Sequence, residues 1–420
     1  MKIGYEKGKT MLHSNKKVME NYFFMTILQI LNSLFYILIY PYLIRTLGAD
    51  SYGLYVFVLS IVTYFITFIN FGFDLPAVKS IAENINNKIE KEKTLSAVFT
   101  TKIYLAVIAW IVLVVFVLVI PSIRVNWKLF FICFGQSITN ILFPQWYFQG
   151  IQRMRTVTFI QLLFKLISLL FIFLYVKNIG DIVIFASIIT ATSVAGALMA
   201  ALIIRFREGL VICWSTFYDV KTCIKQAIPF FAVNSMNVIK QQSATVILGS
   251  FFSMKDVALY DLAMKIYTVP TILISSINSA LFPKIVVRKK LSDVVKKIIL
   301  AENLISVSII LFLFIFGRQI IHLMGGNELL GAYPLLIILS FSIFVPLTVG
   351  AINNFIFIPK NKTNYIMKNQ LIAIIFFFLI ALVGVSFIKN IYVVPLALTL
   401  SGFAELIYVN VTVKKEKLIS

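Results

Sequence analysis

Residues 101–120 read TKIYLAVIAWIVLVVFVLVI, a run in which Lys102 is the single charged residue. About 20 apolar residues is the length that an α-helix needs to cross ~30 Å of hydrocarbon. The run is too long for the ~10-residue strand of a membrane barrel, and strand-like alternation is absent. Eleven similar runs bring the total to twelve predicted spans, numbered in chain order: 22–44, 53–73, 101–120, 127–149, 159–176, 182–204, 226–250, 258–282, 298–321, 332–357, 366–388 and 392–411. The sequence therefore predicts an all-α polytopic membrane protein.

The composition agrees with this class of protein. The chain has 420 residues, of which 60% are hydrophobic and 13% are charged, whereas a soluble domain is about half apolar and a quarter charged. So few charges do not coat a surface that faces water. An ordinary soluble enzyme, a disordered chain and a disulfide-stapled secreted module are therefore excluded.

The basic residues predict the orientation of the spans. The chain has 38 Lys and Arg against 17 Asp and Glu, for a net charge of +21. With the N-terminus in the cytoplasm, 28 of the 38 fall in cytoplasmic segments and the helix ends that adjoin them, among them Lys102. Seven fall outside, and Lys165, Lys240 and Lys265 remain within spans. Because Lys and Arg concentrate in cytoplasmic loops, this split predicts that both termini are cytoplasmic. Most of the net positive charge then serves to orient the helices in the membrane. Because the charge is accounted for in this way, nucleic acid is not expected as a partner.

The sequence carries no motif for enzyme chemistry. Cys133, Cys213 and Cys223 match no metal or redox spacing, and His13 and His322 lie near opposite ends of the chain. The chain contains no G-x-x-x-x-G-K-[ST], no H-E-x-x-H and no G-x-S-x-G. We therefore expect no metal, no cofactor and no enzyme activity, which leaves a transporter, a channel or a receptor.

Five predicted spans carry polar residues at helical spacing, so that the residues of each span share one face. Polar residues inside a membrane face the bundle interior or a wet cavity, or they simply pack helices together. The stripes are Gln29, Asn32, Ser33, Tyr36 and Tyr40 in span 1; Ser60, Thr63, Tyr64, Thr67, Asn70 and Asp74 in span 2; Gln161, Lys165 and Ser168 in span 5; Asn234, Asn237, Lys240, Gln241 and Thr245 in span 7; and Asp261, Lys265, Thr268, Ser275, Ser276 and Ser279 in span 8.

Lys240 is the candidate that stands out, because a lysine at the centre of a spanning helix costs ~2.5–3.5 kcal/mol. Its position predicts a depth of ~18 Å from the outer end of span 7, beyond the reach of a snorkelling side chain. Lys240 therefore either faces a substrate cavity or pairs with a neighbour. A cavity with lysines, amides and hydroxyls suits an anionic polar ligand, since ammonium groups offset phosphate charge and amides bond sugar hydroxyls.

Five other charged residues inside the predicted spans are further candidates. Lys265 and Asp261 are four residues apart, so they either form a local pair or line the cavity. Lys165 lies ~10 Å from the inner end of span 5, close enough to snorkel. Glu302 and Glu405 are intramembrane carboxylates and candidates for ion coupling, although Glu302 sits one turn into its span and also fits a boundary position.

Spans 1–2 and 7–8 share a pattern that indicates an internal repeat. Leu47-Gly48 leads to Gly53-Leu54-Tyr55, and Leu248-Gly249 leads to Ala258-Leu259-Tyr260. Two six-helix lobes then have the same orientation, which predicts a pseudo-two-fold axis along the membrane normal and a site between the lobes near the midplane. The predicted organisation is a basic cytoplasmic segment at 1–21, an N-lobe at 22–204, a cytoplasmic linker at 205–224, a C-lobe at 225–411 and a cytoplasmic tail at 412–420.

Five short segments between residues 41 and 265 carry a family resemblance. They are PYLIRTLGADSYGLY at 41–55, FGFD at 71–74, PQWYFQGIQRM at 144–154, IPFF at 228–231 and VALYDLAMK at 257–265. These segments resemble the Wzx-type oligosaccharide flippases, which export lipid-linked O-antigen and capsule repeat units.

The resemblance implies a fold, a substrate and a location. It implies the multidrug/oligosaccharidyl-lipid/polysaccharide exporter superfamily, in which two six-helix lobes form a V and work by alternating access. The implied substrate is an undecaprenyl-pyrophosphate-linked oligosaccharide, moved from the cytoplasmic to the periplasmic leaflet of the bacterial inner membrane with coupling to a proton or sodium gradient. Membrane lipids, a polysaccharide polymerase and a chain-length regulator are the expected partners. Lys240 and Lys265 occupy spans comparable to those with cationic cavity residues in relatives.

Two other functions stay open at this point. An ion-coupled drug or cation antiporter of the same superfamily would use carboxylates and aromatic rings, and carboxylates are sparse in spans 1, 2, 7 and 8. A membrane-embedded polysaccharide polymerase would need a sizeable outer loop, for which Arg318 and His322 in a short loop are thin support.

Overall fold

A computed structural model describes residues 2–286, 291–360 and 362–418. Side chains are described within these ranges except at 2–19, at Tyr22, at Ser33 and at 275–293. The predicted stripe residues Ser33, Ser275, Ser276 and Ser279 therefore lie outside the described side chains. Helices joined by short turns make up the described ranges, which contain no strand.

Sixteen α-helices follow one another along the described chain. They are α1 (Lys2–Asn70), α2 (Asp74–Glu83), α3 (Lys88–Val119), α4 (Pro121–Val125), α5 (Trp127–Phe134), α6 (Gln136–Leu142), α7 (Gln145–Gly150), α8 (Met154–Tyr175), α9 (Ile182–Leu202), α10 (Phe217–Phe251), α11 (Met254–Val286), α12 (Leu291–Gly325), α13 (Ala332–Ser340), α14 (Phe344–Ile352), α15 (Thr363–Ile388) and α16 (Val393–Lys415). A π-helical turn extends α9 at Ile203–Arg207 and another extends α14 at Asn353–Phe357.

Long apolar helices confirm the all-α membrane class. Among the described residues, nine helical stretches are long and apolar enough to cross a membrane. The first, Phe23–Glu83, contains both span 1 and span 2, and each of the other eight coincides with one predicted span. Spans 4 and 7 are helical but are not among the nine. The count of twelve spans and the pseudo-two-fold symmetry stay predictions.

The turn between spans 1 and 2 is a sharp kink within α1. Gly48 has φ 75° and ψ 162° there, a backbone conformation that glycine adopts without steric cost. The turn predicted from Leu47-Gly48 therefore lies where the sequence placed it, and it is tight enough for helical hydrogen bonding to resume directly.

Span 4 differs from its prediction, because residues 127–149 form three short helices instead of one. The breaks between α5, α6 and α7 fall at Gly135 and at Phe143–Pro144. Proline lacks an N–H and disfavours helical angles at the residue before it, and Phe143 has φ −106° and ψ 83°. The run is apolar enough to span, but its proline ends the helix early.

The described chain forms two compact units. Unit 1 comprises Met1–Asn32, Val62–Lys177 and Val183–Ser235, and unit 2 comprises Ser33–Ile61, Asn178–Ile182 and Met236–Ser420. The turn between spans 1 and 2 thus packs with the C-terminal helices in unit 2. The lobe and linker boundaries predicted from the repeat stay predictions.

Each unit has its own apolar core. In unit 1, buried Phe73, Ile81, Trp146 and Phe148 join α2 to α7. In unit 2, side chains of α14, its π-helical turn and α16 form the centre of a second cluster: Val345, Val349, Ala351, Ile352, Phe355, Ile356, Phe357, Val409 and Val413.

A glycine contact in unit 2 supports a prediction about stability. A Cβ on Gly53 would overlap the backbone carbonyl of Met254, and backbone cannot rotate away. We expect Gly53→Ala to lower the melting temperature of the detergent-solubilised protein, because overpacking costs about 1–3 kcal/mol. Gly350→Ala is the matched helical control, since a Cβ there meets nothing within 4 Å. Equal melting temperatures for the two variants would contradict this account of the α1–α11 contact.

Candidate functional site

The candidate residues predicted from the sequence divide between the two units. Unit 1 contains Gln29, Asn32, Asn70, Asp74, Lys165 and Asn234, and unit 2 contains Tyr36, Asn237, Lys240, Gln241, Asp261, Lys265, Glu302 and Glu405. Within the units, the structure brings several of them into three polar pairs or clusters centred on Lys240, Lys265 and Lys165. A fourth cluster, centred on Lys102, was not predicted.

In unit 2, Lys240 and Glu405 form an ion pair across 165 residues of sequence. The Lys240 ammonium on α10 donates to Oε1 of Glu405 on α16, and Asn369 Nδ2 on α15 donates to Oε2 at 3.4 Å. The Lys240 side chain is 14% exposed and that of Glu405 is 5% exposed. Two candidates that the sequence assigned to different roles, substrate binding and ion coupling, are therefore direct partners.

The burial of this pair sets its energetics. Removing two charges from water costs several kcal/mol for each ion, and their mutual attraction repays the cost only while both partners remain. The pair is therefore a modest source of stability, but the loss of either partner alone is strongly destabilising.

The second cluster in unit 2 surrounds the Lys265 ammonium with tyrosine rings. The ring centroids of Tyr36, Tyr40 and Tyr52 lie 5.3, 5.5 and 5.6 Å from Lys265 Nζ. These distances are within the range of cation–π attraction. Tyr40 and Tyr52 are buried, whereas Tyr36 is exposed over 41% of its surface. The tyrosine cage, defined as these three rings, is thus open on the side of Tyr36.

Hydrogen bonds hold the tyrosine cage together. Lys265 forms an ion pair with Asp261, four residues earlier on α11. The Tyr52 hydroxyl donates to Asp261 Oδ2 at 3.0 Å and accepts from Lys265 Nζ at 2.9 Å. The Tyr40 hydroxyl donates to the Ala258 carbonyl at 3.1 Å. The i,i+4 pair foreseen from the sequence is present, and α1 adds a hydroxyl and three aromatic faces to it.

In unit 1, Lys165 on α8 donates to the side-chain oxygen of Asn32 on α1. Both residues belonged to predicted polar stripes, so the structure brings spans 1 and 5 together at the point the stripes indicated. Gln29, three residues before Asn32, is exposed.

Lys102, predicted at a helix end that adjoins a cytoplasmic segment, is buried within unit 1. It is 3% exposed and donates to Asn70 Oδ1 and to the Asn140 carbonyl, each at 3.0 Å. Asn70 Nδ2 also donates to Asn140 Oδ1 at 3.2 Å. Span 3 was predicted to begin at residue 101, whereas α3 begins at Lys88.

A capping signal marks the true start of α3. The Asn87 side chain accepts from the backbone N–H of Glu90 at 3.3 Å, and an Asn followed three residues later by Glu is an N-terminal helix signature. Beside Lys102, burial raises the pKa of the Cys223 thiol to about 11. The thiol is therefore neutral at pH 7 and supplies no negative charge to this cluster.

The remaining candidates are Asp74, three amide residues of α10 and Glu302. Asp74 is the exposed first residue of α2, where a carboxylate is stabilised by the positive end of the helix dipole, and it interacts electrostatically with Lys102. Asn234 and Gln241 are exposed on α10, and Asn237 between them is half-buried. Glu302 on α12 is buried within unit 2, at 4% exposure.

Comparison with solved structures defines the class of protein. The chain has the fold of a lipid II flippase MurJ in an inward closed conformation, with a TM-score of 0.65 and 14% identity over 94% of this chain and 87% of that one. It also has the fold of a multidrug resistance MATE family transporter of the MOP superfamily in an inward-facing conformation, with a TM-score of 0.59 and 13% identity over 92% and 99%. The fold is that of a multi-span membrane transporter.

Sequence comparison then defines the family. Residues 18–287 match the family of polysaccharide biosynthesis proteins, and the chain belongs to that family. It is 25% identical over 340 residues to a protein of Escherichia coli (strain K12) named "Putative O-antigen transporter", covering 81% of this chain and 77% of that protein. A Shigella dysenteriae protein of the same name is 24% identical over 257 residues, covering 60% and 64%. The resemblance first noted in the turn at 41–55 is confirmed.

The Lys240–Glu405 pair supports a prediction about stability. We expect Lys240→Met and Glu405→Gln each to lower the melting temperature, because a single change leaves a buried charge uncompensated at a cost of about 3–5 kcal/mol. The double variant removes both charges and is expected to melt above either single variant. Thermal unfolding of the four proteins in one detergent measures this. A double variant that melts below both singles would show that the two side chains act independently.

Proposed function

We propose that the protein is a flippase for undecaprenyl-pyrophosphate-linked oligosaccharide repeat units. It moves them from the cytoplasmic to the periplasmic leaflet of the bacterial inner membrane by alternating access, for surface polysaccharide such as O-antigen or capsule. The observation that carries this proposal is the buried Lys240–Glu405 pair within an apolar helical unit. Family membership and the printed names of the two relatives support the same substrate class.

The chemistry of the lysines fits a pyrophosphate. An ammonium bound to a phosphate oxygen forms a short, charge-assisted hydrogen bond, and a pyrophosphate offers more negative charge than the single carboxylate of Glu405. In this mechanism the substrate displaces Glu405 from Lys240. In the same unit, Lys265 is a further cationic contact, which exchanges Asp261 for substrate while the tyrosine cage keeps its ammonium in place. Lys165 in unit 1 is a separate candidate contact.

The same exchange offers a candidate site for ion coupling. When Lys240 binds substrate, the buried Glu405 carboxylate is released from its ammonium partner and becomes available to the coupling cation, a proton or a sodium ion. The Asn369 amide, which donates to Glu405 Oε2, lies beside this carboxylate. Glu302 is the second coupling candidate because it is buried in the same unit.

Amide groups both donate to and accept from sugar hydroxyls. We assign sugar recognition to Gln29, Asn234, Asn237 and Gln241, together with the exposed ring of Tyr36. Asn32, Asn70 and Asp74 are further candidates, and each would have to exchange its lysine partner for the sugar. The proposal also includes cytoplasmic termini and contact with a polysaccharide polymerase and a chain-length regulator.

An ion-coupled multidrug antiporter is the alternative function, because solved structures with this fold include multidrug transporters. A cationic drug needs an available carboxylate or an aromatic box. Asp261 and Glu405 each have a lysine partner, so a cation would have to displace an ammonium at either residue. This geometry favours an anionic substrate.

Export in a host lacking the gene tests the proposal and separates function from stability. We expect Lys240→Met to reduce surface polysaccharide at least about tenfold at equal membrane abundance, since one charge-assisted contact is worth about 1.5–3 kcal/mol. The Lys240→Met/Glu405→Gln double variant should regain the melting temperature but not the export. Lys389→Met, at an exposed position outside the helices, is the matched control and should export normally.

Two results would overturn the proposal. Wild-type polysaccharide levels from the stable double variant would show that Lys240 serves packing alone. Drug resistance conferred by the chain, with no effect on polysaccharide, would support the antiporter.

A further inference from the structure

The segment between α9 and α10 is hydrogen-bonded to α3. Residues 208–216, here called the linker strap, run extended along the start of α3. The backbone N–H of Val211 donates to Glu92 Oε1 at 2.9 Å, that of Cys213 to Ser96 Oγ at 3.0 Å, and that of Ser215 to Thr100 Oγ1 at 3.1 Å. Every second residue of the strap thus meets every fourth residue of the helix.

The match between these two repeats has a geometric cause. Two residues of extended chain advance about 6.6 Å, and four residues of α-helix advance about 6.0 Å along nearly the same face. Three side chains in one stripe of α3 can therefore bind three alternate N–H groups with no change in the direction of the strap. Three alternate N–H groups of the strap backbone thus have partners within the protein, as suits a segment close to hydrocarbon.

The far end of the strap is also fixed. Thr216 precedes α10, where its hydroxyl donates to Asp219 Oδ2 at 2.7 Å and accepts from the Asp219 N–H at 3.3 Å. Asp219 lies 3.6 Å from the Lys93 ammonium on α3. The Trp214 ring packs against Tyr104 with centroids 5.9 Å apart. Tyr104 continues the stripe of Glu92, Ser96 and Thr100, and it lies in the first turn of predicted span 3.

Large aromatic side chains along and beside the strap are exposed. Phe206, Trp214, Phe217 and Tyr218 are 79%, 66%, 79% and 77% exposed. Four exposed aromatic residues within thirteen positions are unusual for a surface in water, where such patches mark contacts. Arg205 and Arg207, both exposed, stand beside Phe206. Together these six residues form what we call the aromatic-basic face.

The apolar side of α3 continues from this face. Val107, Ile108 and Ile111, which follow Tyr104 in predicted span 3, are each at least half exposed, as expected for helix surface that meets lipid tails. Trp and Tyr concentrate where tails give way to headgroups, and Arg near the inner surface is drawn to anionic lipids. Along α3, polar residues come first, then Tyr104 beside Trp214, then the exposed apolar residues. This order matches the change from water through headgroups to lipid tails.

We propose that the aromatic-basic face binds the headgroup layer of the cytoplasmic leaflet, with Arg205 and Arg207 on the phosphates of anionic lipids. Trp214 and Tyr104 mark the depth at which tails begin. The strap holds the beginning of α10 to α3 at this depth, so the lipid contact positions the N-terminal end of the helix that carries Lys240. This inference concerns lipid binding and does not rest on the proposed substrate.

The four tryptophans of the chain allow a direct test. Replacing Trp110, Trp127 and Trp146 with Phe leaves Trp214 as the single fluorophore in vesicles of zwitterionic and anionic phospholipid. We expect strong quenching by lipids brominated near the headgroup and weaker quenching by lipids brominated near the tail end. Two sets of vesicles contain equal amounts of brominated lipid, in one set only the anionic lipid and in the other only the zwitterionic lipid. Quenching of Trp214 should be stronger in the first set.

The control variants remove one feature at a time. Keeping Trp146 alone, which is 4% exposed, gives a buried fluorophore that brominated lipid should barely quench. Arg205→Gln and Arg207→Gln should each reduce the enrichment of anionic lipid at Trp214 about fivefold. Native mass spectrometry of bound anionic lipid, on wild type and the arginine variants, repeats the comparison with no change of tryptophan.

Three outcomes would overturn the inference. Trp214 quenched no more than Trp146 by lipid would show that the face does not reach the bilayer. Quenching by aqueous iodide instead of lipid would assign the face to water or to a protein partner. Equal quenching from anionic and zwitterionic lipid, unchanged in the arginine variants, would show that Arg205 and Arg207 do not bind anionic headgroups.

Discussion

Hydrocarbon offers no water to a charged side chain, so every lysine inside a spanning helix must find its partner within the protein. Lys240 meets Glu405, Lys265 meets Asp261 and Tyr52, and Lys165 meets Asn32. Each contact joins helices or successive turns of one unit. The positions of these helices therefore depend on where the ammonium groups can be satisfied, and the apolar residues fill the space around those contacts.

The two units satisfy their lysines in different ways, and this difference bears on function. In unit 2 the partners of Lys240 and Lys265 are carboxylates, so each cluster is close to neutral. In unit 1 Lys165 and Lys102 donate to amide or carbonyl oxygens. The lysines of unit 2 are the ones for which we propose that an anionic substrate takes the place of a carboxylate partner.

The sequence predicted what depends on local composition and missed what depends on distant partners. Run length located the helices, and the glycine turn at Gly48 fell where the pattern placed it. Span 4 was predicted as one helix because apolarity indicates burial in lipid and says little about helix continuity. Pro144 interrupts the helix there. The start of α3 was predicted too late in the chain, because a basic loop and the first turns of a helix have similar composition unless the Asn87 cap is recognised. The pairing of Lys240 with Glu405, 165 residues away, has no local signal at all.

The central claim is that the lysine–carboxylate pair in unit 2 moves an anionic lipid-linked sugar across the membrane. Its most direct test is translocation in proteoliposomes of purified protein, with undecaprenyl-pyrophosphate oligosaccharide placed in one leaflet. A membrane-impermeant glycosidase reports the sugar that reaches the other leaflet. The account predicts transfer by the wild type, accelerated by a proton gradient, and loss of transfer in the Lys240→Met/Glu405→Gln protein. Equal transfer by both proteins, or none by the wild type, would contradict it.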